Sequence, residues 1–565
     1  MPDLMIGARR TVTVSRPWRA GAIGFALLSV AGVVAWFVFQ RSVAYDLPKG
    51  TVTGEVIERP APGAGVELGY GESSLAWSGG IAVLRSAGDD HAIGAAHGRL
   101  LAPLLRPMVD AIRPSIEGTV GDQGRLGRIT HDMRLAWRWR FIDAGLGDSD
   151  VLRVAGALRG AAAGGVAVTF ADLLRAQAVL DVGVPADSSG ELVATARSLT
   201  VIAQQAQMPS RIWIGRTFSL TGLADGGDAA VPIVSITRPN GRIASASIAF
   251  PGQLGAVTGI NAQRIAVMVG PARTRDVRPT TVARPCAVLA QEVLEQAKSL
   301  EDAIKIVEQT PTLGSALFVI AEGSTGKWVL VERTPSKAVV ERAPSRSAFG
   351  NVLTTSAFAA DPDNDRARRS LASAKRVERA AQLLRAPLTS VTAVADVLRD
   401  QRGIDATPRP PGHREAIDDG RDSQVAILDP TSMELWVADR SAGGRMRAFD
   451  LRHELRGEGD RAAPPADIAA DPSTEPERGP ALAAARADLR IARTDFRRRD
   501  LRSANEACAR ARARAPRLPE ALQLCASIAQ ARGDLARAQQ LYMRWIDGVP
   551  DDPQNEPRAH IILGR

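Results

Sequence analysis

The sequence predicts an α+β protein with sheets in the middle and helices outside. One long apolar helix precedes this domain and an all-α region follows it. Three observations predict this. First, the stretch from about Ala194 to Val269 is a series of apolar, β-branched runs (SLTVIA, RIWIG, PIVSI, IASASIAF, RIAVMV) separated by Gly, Pro, Asn and Asp. Short alternating runs between turn residues signal strands, and RPNGR signals a hairpin, because Asn-Gly accepts the positive φ of a tight turn. An antiparallel meander is expected there. Second, amphipathic helical patterns flank it on both sides. Third, a segment near the C-terminus repeats itself: Asp500-Leu501, Ala504 and Pro516 recur 34 residues later as Asp534-Leu535, Ala538 and Pro550.

The N-terminus comes first in the chain and sets the expected location. Residues Ala20 to Phe39 are twenty uncharged, mostly apolar residues, enough to span a bilayer as a helix. Arg9, Arg10, Arg16 and Arg19 precede them and Trp36 sits near the far end, so the bulk of the chain is expected on the extracytoplasmic side. The run is long for a signal peptide, and no clear Ala-x-Ala site follows. The expected organisation is a cytoplasmic N-terminus (1–19), a transmembrane helix (20–39), a linker (40–68), the main domain (69–455), a second linker (456–480) and helical repeats (481–556).

Within the main domain, a helix begins near His97-Gly98 with Leu100, Leu101, Leu104, Leu105 and Met108 on one face. Thr169 is the expected N-cap of a later helix, and Ser299 with Asp302 forms a near capping box for LEDAIKIVEQ. GSTGK (Gly323–Lys327) lacks the Walker spacing and is expected as a hairpin turn. The 34-residue period is that of tetratricopeptide repeats, whose small Ala residues sit at close helix crossings.

Composition excludes several classes. The net charge is +9, but basic and acidic residues are interspersed and aromatics are only 4%, so no nucleic-acid partner is expected. The three cysteines, Cys286, Cys508 and Cys525, form no Cys-x-x-Cys pair and suggest no disulfide framework; Cys508 and Cys525 are expected as core residues, and Cys286 is expected to open a helix after a loop. His91, His97, His131, His413, His453 and His560 are scattered, and neither a metal nor a cofactor is expected.

Motifs in order across His91 to Leu451 resemble the acyl-coenzyme A:6-aminopenicillanate acyltransferase family of N-terminal-nucleophile (Ntn) hydrolases. They are His97-Gly98, GGVAVTFADLLRAQ, Gly215-Arg216, Pro251-Gly252, GINAQRIAV, LEDAI, EGSTGKWVLVER with Glu332, and SLASAKRVERAAQLL. The resemblance implies a four-layer αββα sandwich. It also implies self-cleavage before a residue that opens a strand; that side chain becomes the nucleophile and its freed α-amino group the base. Matching TVIA and Gly215-Arg216 to the family places Ser198 at the nucleophile position, with Thr200 as second choice. Ser219 falls at a polar catalytic position, and Asn261 is the expected oxyanion donor. Three positions depart from the family pattern. Arg197 replaces a Gly, Thr217-Phe218-Ser219 replaces Asn-x-Asp, and Ser356-Ala357 replaces Asn-His.

Two functions follow as expectations. One is a membrane-anchored amidohydrolase or acyltransferase acting on an acyl-donor or amide small molecule and cut before Ser198. The other is a catalytically degenerate relative, an envelope scaffold whose helical repeats bind a protein partner. The lipid bilayer, through residues 20–39, is a partner in both.

Overall fold

The computed structural model describes residues 16–548 apart from 62–64, 118–123, 182–183, 187–190, 194–195, 209, 221–230, 273, 277–281, 343, 345, 363, 366–370, 414, 421, 440–443, 458–464 and 472–477. The chain opens with α1 (Arg16–Val43), whose stretch Ile23–Val43 is long and apolar enough to cross a membrane. Strands β1 (Ile57–Ala61), β2 (Gly65–Tyr70), β3 (Ser73–Ser78) and β4 (Ile81–Gly88) follow. Then come α2 (Asp90–Leu100), α3 (Ala102–Glu117), α4 (Gly124–Trp139), α5 (Ile142–Gly145), α6 (Asp148–Ala163) and α7 (Phe170–Gln177). A small pair, β5 (Val184–Ala186) and β6 (Glu191–Val193), leads into β7 (Ala196–Gln204), β8 (Ile212–Leu220), β9 (Ile233–Pro239), β10 (Ser245–Ala249), β11 (Thr258–Asn261) and β12 (Ile265–Ala272). Next are α8 (Cys286–Gln296), α9 (Leu300–Gln309), β13 (Ser315–Glu322), β14 (Lys327–Arg333), β15 (Ala338–Arg342) and β16 (Ala348–Phe349). The domain ends with α10 (Leu371–Leu383), α11 (Val391–Leu398), β17 (Gln424–Asp429), β18 (Glu434–Ala438), β19 (Met446–Asp450) and α12 (Leu451–Arg456). The C-terminal helices are α13 (Arg478–Arg497), α14 (Leu501–Arg514), α15 (Pro519–Ala531) and α16 (Leu535–Gly548).

The expected single meander divides between two sheets. β7 and β8 belong to a six-stranded sheet, β16-β7-β8-β17-β18-β19. β9 to β12 belong to an eleven-stranded sheet, β1-β2-β3-β4-β9-β10-β11-β12-β13-β14-β15, in which β9 runs parallel to β4. Both edges of β8 are paired, one to β7 and the other to β17, so no edge is left for β9.

Strand alternation sets what each sheet faces. Ile202, Ile212 and Ile214 of the smaller sheet join Val234, Ile248, Met268 and Val319 of the larger one in a shared core. On the other side of the smaller sheet, Leu199, Val201 and Trp213 pack with Val394 and Leu398 of α11. On the other side of the larger sheet, Val267 and Phe318 pack with Leu289, Val293 and Ile304 of α8 and α9. α2 and α6 lie back to back: a Cβ on Gly98 would meet the Ala157 carbonyl at 2.0 Å, so His97-Gly98 marks a helix crossing.

Local expectations hold at several caps and turns. Thr169 Oγ1 accepts from Asp172 N, and Ser299 Oγ accepts from Asp302 N. Asn240-Gly241 turns β9 into β10 with Gly241 at φ +71°. GSTGK turns β13 into β14.

The C-terminal helices share their own core, including Ala504, Leu522, Leu541 and Trp545. Asp500 and Asp534, one 34-residue step apart, both accept from amides at helix starts, those of Ser503 and Arg537. One expectation is corrected here. Cys508 on α14 and Cys525 on α15 are joined in a disulfide, with Cα atoms 5.7 Å apart. A spacing of 17 residues across one helical turn-around gives no Cys-x-x-Cys signal, yet it brings the two helix faces together. Cys286 alone is free, and it is buried. The denatured, unreduced chain is therefore expected to titrate one thiol and the reduced chain three. Closing a loop of this length is worth about 3 kcal/mol, so Cys525→Ser should lower the melting temperature of the C-terminal helices, measured by circular dichroism.

Candidate functional site

Ser198 lies on β7 opposite Phe218 of β8 and is 2% exposed. Its side chain points across to the larger sheet. A Cβ on Gly270 of β12 would come within 2.8 Å of Ser198 Oγ, so only glycine leaves room there. The Ser198 amide donates to Asn351 Oδ1 at 2.6 Å, and Asn351 Nδ2 donates to the Pro271 carbonyl at 2.8 Å. Asn351 therefore ties the nitrogen of Ser198 to the strand that faces its hydroxyl. Among the described residues, no histidine, lysine or carboxylate hydrogen-bonds to Ser198.

Glu332 holds the loop that carries Asn351. It lies on β14, is fully buried, and accepts from both residues of Thr354-Thr355. The Thr354 hydroxyl bonds Oε1 at 2.6 Å, while the Thr355 amide and hydroxyl bond Oε2 at 3.0 and 2.5 Å. Asn364 fixes the same loop through Leu353 and the Phe358 carbonyl.

Arg216 is on the same face of β8 as Phe218 and pairs with Thr200. It sits diagonal to Ser198, a spacing of roughly 7–8 Å between Cα atoms. Its guanidinium crosses between the sheets to donate to the carbonyls of Val257 and Val269, and it lies 4.6 Å from the centre of the Phe218 ring. Burial pushes its pKa down to about 9. A buried cation held by carbonyls is costly by itself and favours negative charge nearby.

The other expected site residues lie elsewhere. Ser219 pairs with Arg197, so it occupies the opposite face of the sheet from Ser198. On that face Arg197 is ion-paired to Asp419 and Asp422. Asn261 is fully buried at the β11–β12 turn. Its Nδ2 donates to the carbonyls of Leu294 and Ala297, and its Oδ1 accepts from Gln263 and Ile265. Both amide hydrogens are thus committed to tying the turn to α8. Ile265 and Gly270 are five residues apart along β12, roughly 16 Å at the strand rise, so Asn261 stands far from Ser198.

His97 is on the helix side of the larger sheet. Its Nε2 accepts from the Gly252 amide at 2.8 Å. It lines a cavity of about 20 Å³ with Arg153, Ser235, Thr237, Ser247 and Gln253, room for one water rather than a substrate. Val234 and Ile236, neighbours of Ser235 and Thr237, face the intersheet core, so the sheet separates His97 from Ser198. Cys286 opens α8 next to Asp181, which accepts its amide; burial pushes the thiol well up and Asp181 to about 6. A buried protonated thiol is not a nucleophile.

The geometry therefore groups Ser198, Arg216, Asn351 and Gly270, with Glu332 holding the Asn351 loop. Asn351 is not among the site residues expected from the sequence. Its signal was Gly350-Asn351, a turn pair after a two-residue strand.

The family model for acyl-coenzyme A:6-aminopenicillanic acid acyl-transferase matches residues 234–408. This is under a third of the chain. It contains Gly270, Glu332 and Asn351 but not β7 or β8. No curated protein matches the chain. Solved structures similar to it include a Caenorhabditis elegans ortholog of N-acylethanolamine-hydrolyzing acid amidase (15% identity, 41% of this chain, 93% of that chain, TM-score 0.30). Two variants of the conjugated bile acid hydrolase from Clostridium perfringens are also similar. One is 11% identical over 48% of this chain and 98% of that one, with TM-score 0.30. The other is 10% identical over 49% and 100%, with TM-score 0.28.

Two outcomes follow. Glu332→Ala leaves the amides and hydroxyls of Thr354 and Thr355 without their acceptor, and should cost about 3 kcal/mol or more in urea unfolding. His97, ordinarily near 6.5, is lowered by burial to about 4. The folded state resists its protonation, so its contribution is complete above 6.5 and is lost as pH falls from 6.5 toward 4. A shift of this size amounts to about 3 kcal/mol. His97→Gln should flatten the fall in stability over that window relative to the parent chain. Asp181, raised rather than lowered, acts in the opposite direction in both proteins and cancels in the comparison.

Proposed function

We propose that this chain is a membrane-anchored amidohydrolase/acyltransferase-like protein of the Ntn type, with four αββα layers, that is latent while intact. The observation that carries this is the Ser198 backbone nitrogen, held by Asn351 beside a hydroxyl that no histidine, lysine or carboxylate among the described residues hydrogen-bonds. While the Arg197–Ser198 bond is whole, that nitrogen is an amide and cannot take a proton. Hydrolysis of the bond turns it into an α-amine of ordinary pKa about 7.7–8.0, able to serve as general base for Oγ. Arg216 then stands where negative charge develops on an acyl substrate. The substrate class would be a small amide or acyl donor. The disulfide fits a domain on the extracytoplasmic side.

A second reading has its own support: an uncut, catalytically degenerate envelope scaffold. Arg197 is locked by two buried carboxylates in a regular ladder, which resists the distortion self-cleavage needs. The helical region 478–548 holds fifteen arginines, seven carboxylates and no lysine, a net +8 where the whole chain is +9. Tetratricopeptide-like helices so charged would suit an acidic protein partner.

The purified chain decides between these on a denaturing gel. Latency followed by activation predicts two fragments split before Ser198, abolished by Ser198→Ala, with amide or ester turnover only in the cut form. An intact chain in both proteins, without turnover, supports the scaffold.

A further inference from the structure

We infer that α4 is a bilayer-surface helix whose stripe Ile129, Met133, Trp137 and Phe141 lies in the lipid headgroup region beside α1. This rests on α1 being a membrane anchor. Ile129, Met133 and Trp137 recur at i, i+4 on one face of α4, and Phe141 follows in the turn before α5. Ile129 is 50% exposed, Trp137 49% and Phe141 38%, three large apolar side chains turned outward. The opposite face, Leu135 and Trp139, is buried in the main core together with Ile142 of α5, so α4 cannot turn its apolar stripe inward. An apolar face left outside a folded domain marks a partner.

The partner is lipid because of where the stripe ends. The Trp137 ring stacks on Phe39 of α1 at 6.3 Å, and Phe39 stacks on Trp36 at 6.2 Å. Phe39 lies within the apolar stretch that ends at Val43, four residues or roughly 6 Å from its end. Whatever touches Phe39 therefore sits at the edge of the hydrocarbon layer. Tyr45, just beyond the anchor, donates to the Trp139 carbonyl at 2.8 Å and clamps α4 to that depth. Trp at this depth is the usual interfacial anchor. The Arg140 guanidinium lies 3.8 Å from the Trp137 ring centre and 4.4 Å from that of Phe141. A cation between the two aromatics suits anionic headgroups, and its stem adds to the apolar cover. The domain is thus seated on the membrane, not suspended above it on a tether.

Nitroxide labelling of the full chain in phosphatidylethanolamine–phosphatidylglycerol nanodiscs tests this. The native cysteines do not interfere, since Cys286 is buried and Cys508 and Cys525 are bonded. Labels at Trp137→Cys, Phe141→Cys and Ile129→Cys are expected to collide with oxygen more than with a water-soluble nickel complex. A label at Arg502→Cys, whose native side chain is 91% exposed, should show the reverse. Val33→Cys reports on the anchor itself. Lipid exposure at 33 with water exposure at the α4 positions overturns the inference and keeps the anchor. Shielding of the α4 labels from both reagents means a protein neighbour covers the stripe, and also overturns it. Water exposure at 33 removes the anchor and the inference together. Three separate α4 labels guard against one substitution that fails to fold.

Discussion

Strand alternation across β7 and β8 is the constraint on which the rest of the site depends. These two strands are paired residue for residue from Ala196 to Gln204, and both their faces are covered. The period of two then leaves no freedom. Ser198, Thr200 and Arg216 must face the larger sheet; Arg197 and Ser219 must face away from it. A catalytic group assembled from Ser198 and Ser219 would need both faces at once. The larger sheet answers the inward set with Gly270 and with the carbonyls of Val257 and Val269, and Asn351, on the loop after β16, adds to them from a position pinned by Glu332. The outward set is answered by Asp419 and Asp422.

Much of this was legible in the sequence and some was not, for physical reasons. Strand runs, hairpin turns and caps are local, and Thr169, Ser299 and Asn240-Gly241 do what their chemistry implies. The division of one apparent meander into two sheets is not local. β7 and β8 look like neighbours of β9 in the chain, yet the second ladder partner of β8 is β17, more than two hundred residues later. Strand register sets which way Ser198 and Arg216 face. Asn351 was missed because its role is set by a loop held from elsewhere. Asn261 illustrates the reverse problem: an amide side chain at a turn looks like a donor until its two hydrogens are traced to Leu294 and Ala297. The disulfide joins residues on two helices, a proximity that spacing alone does not show.

Glu332 shows how a fold can fix the loop beside Ser198 without touching Ser198 itself. Its two oxygens accept from paired amides and hydroxyls, the arrangement in which buried carboxylates are tolerated. The family match begins after β8 but includes this clamp. The matched segment therefore contains Glu332 and the loop it holds, while β7 and β8 lie outside it.

Arg216 decides what a cut before Ser198 would mean chemically. A new ammonium at Ser198 would be buried, on a strand position diagonal to the one that carries the Arg216 cation. Desolvation and like charge both favour the neutral amine, so its pKa would fall below the free value and the base would be ready near neutral pH. Asn351 Oδ1 can accept from an amine as well as from an amide, so the nitrogen would keep its position. Arg197 works against the cut, since its two carboxylates hold the departing side of the bond in place. The same cluster thus favours the product's chemistry and resists its formation, which is the physical content of a latent centre.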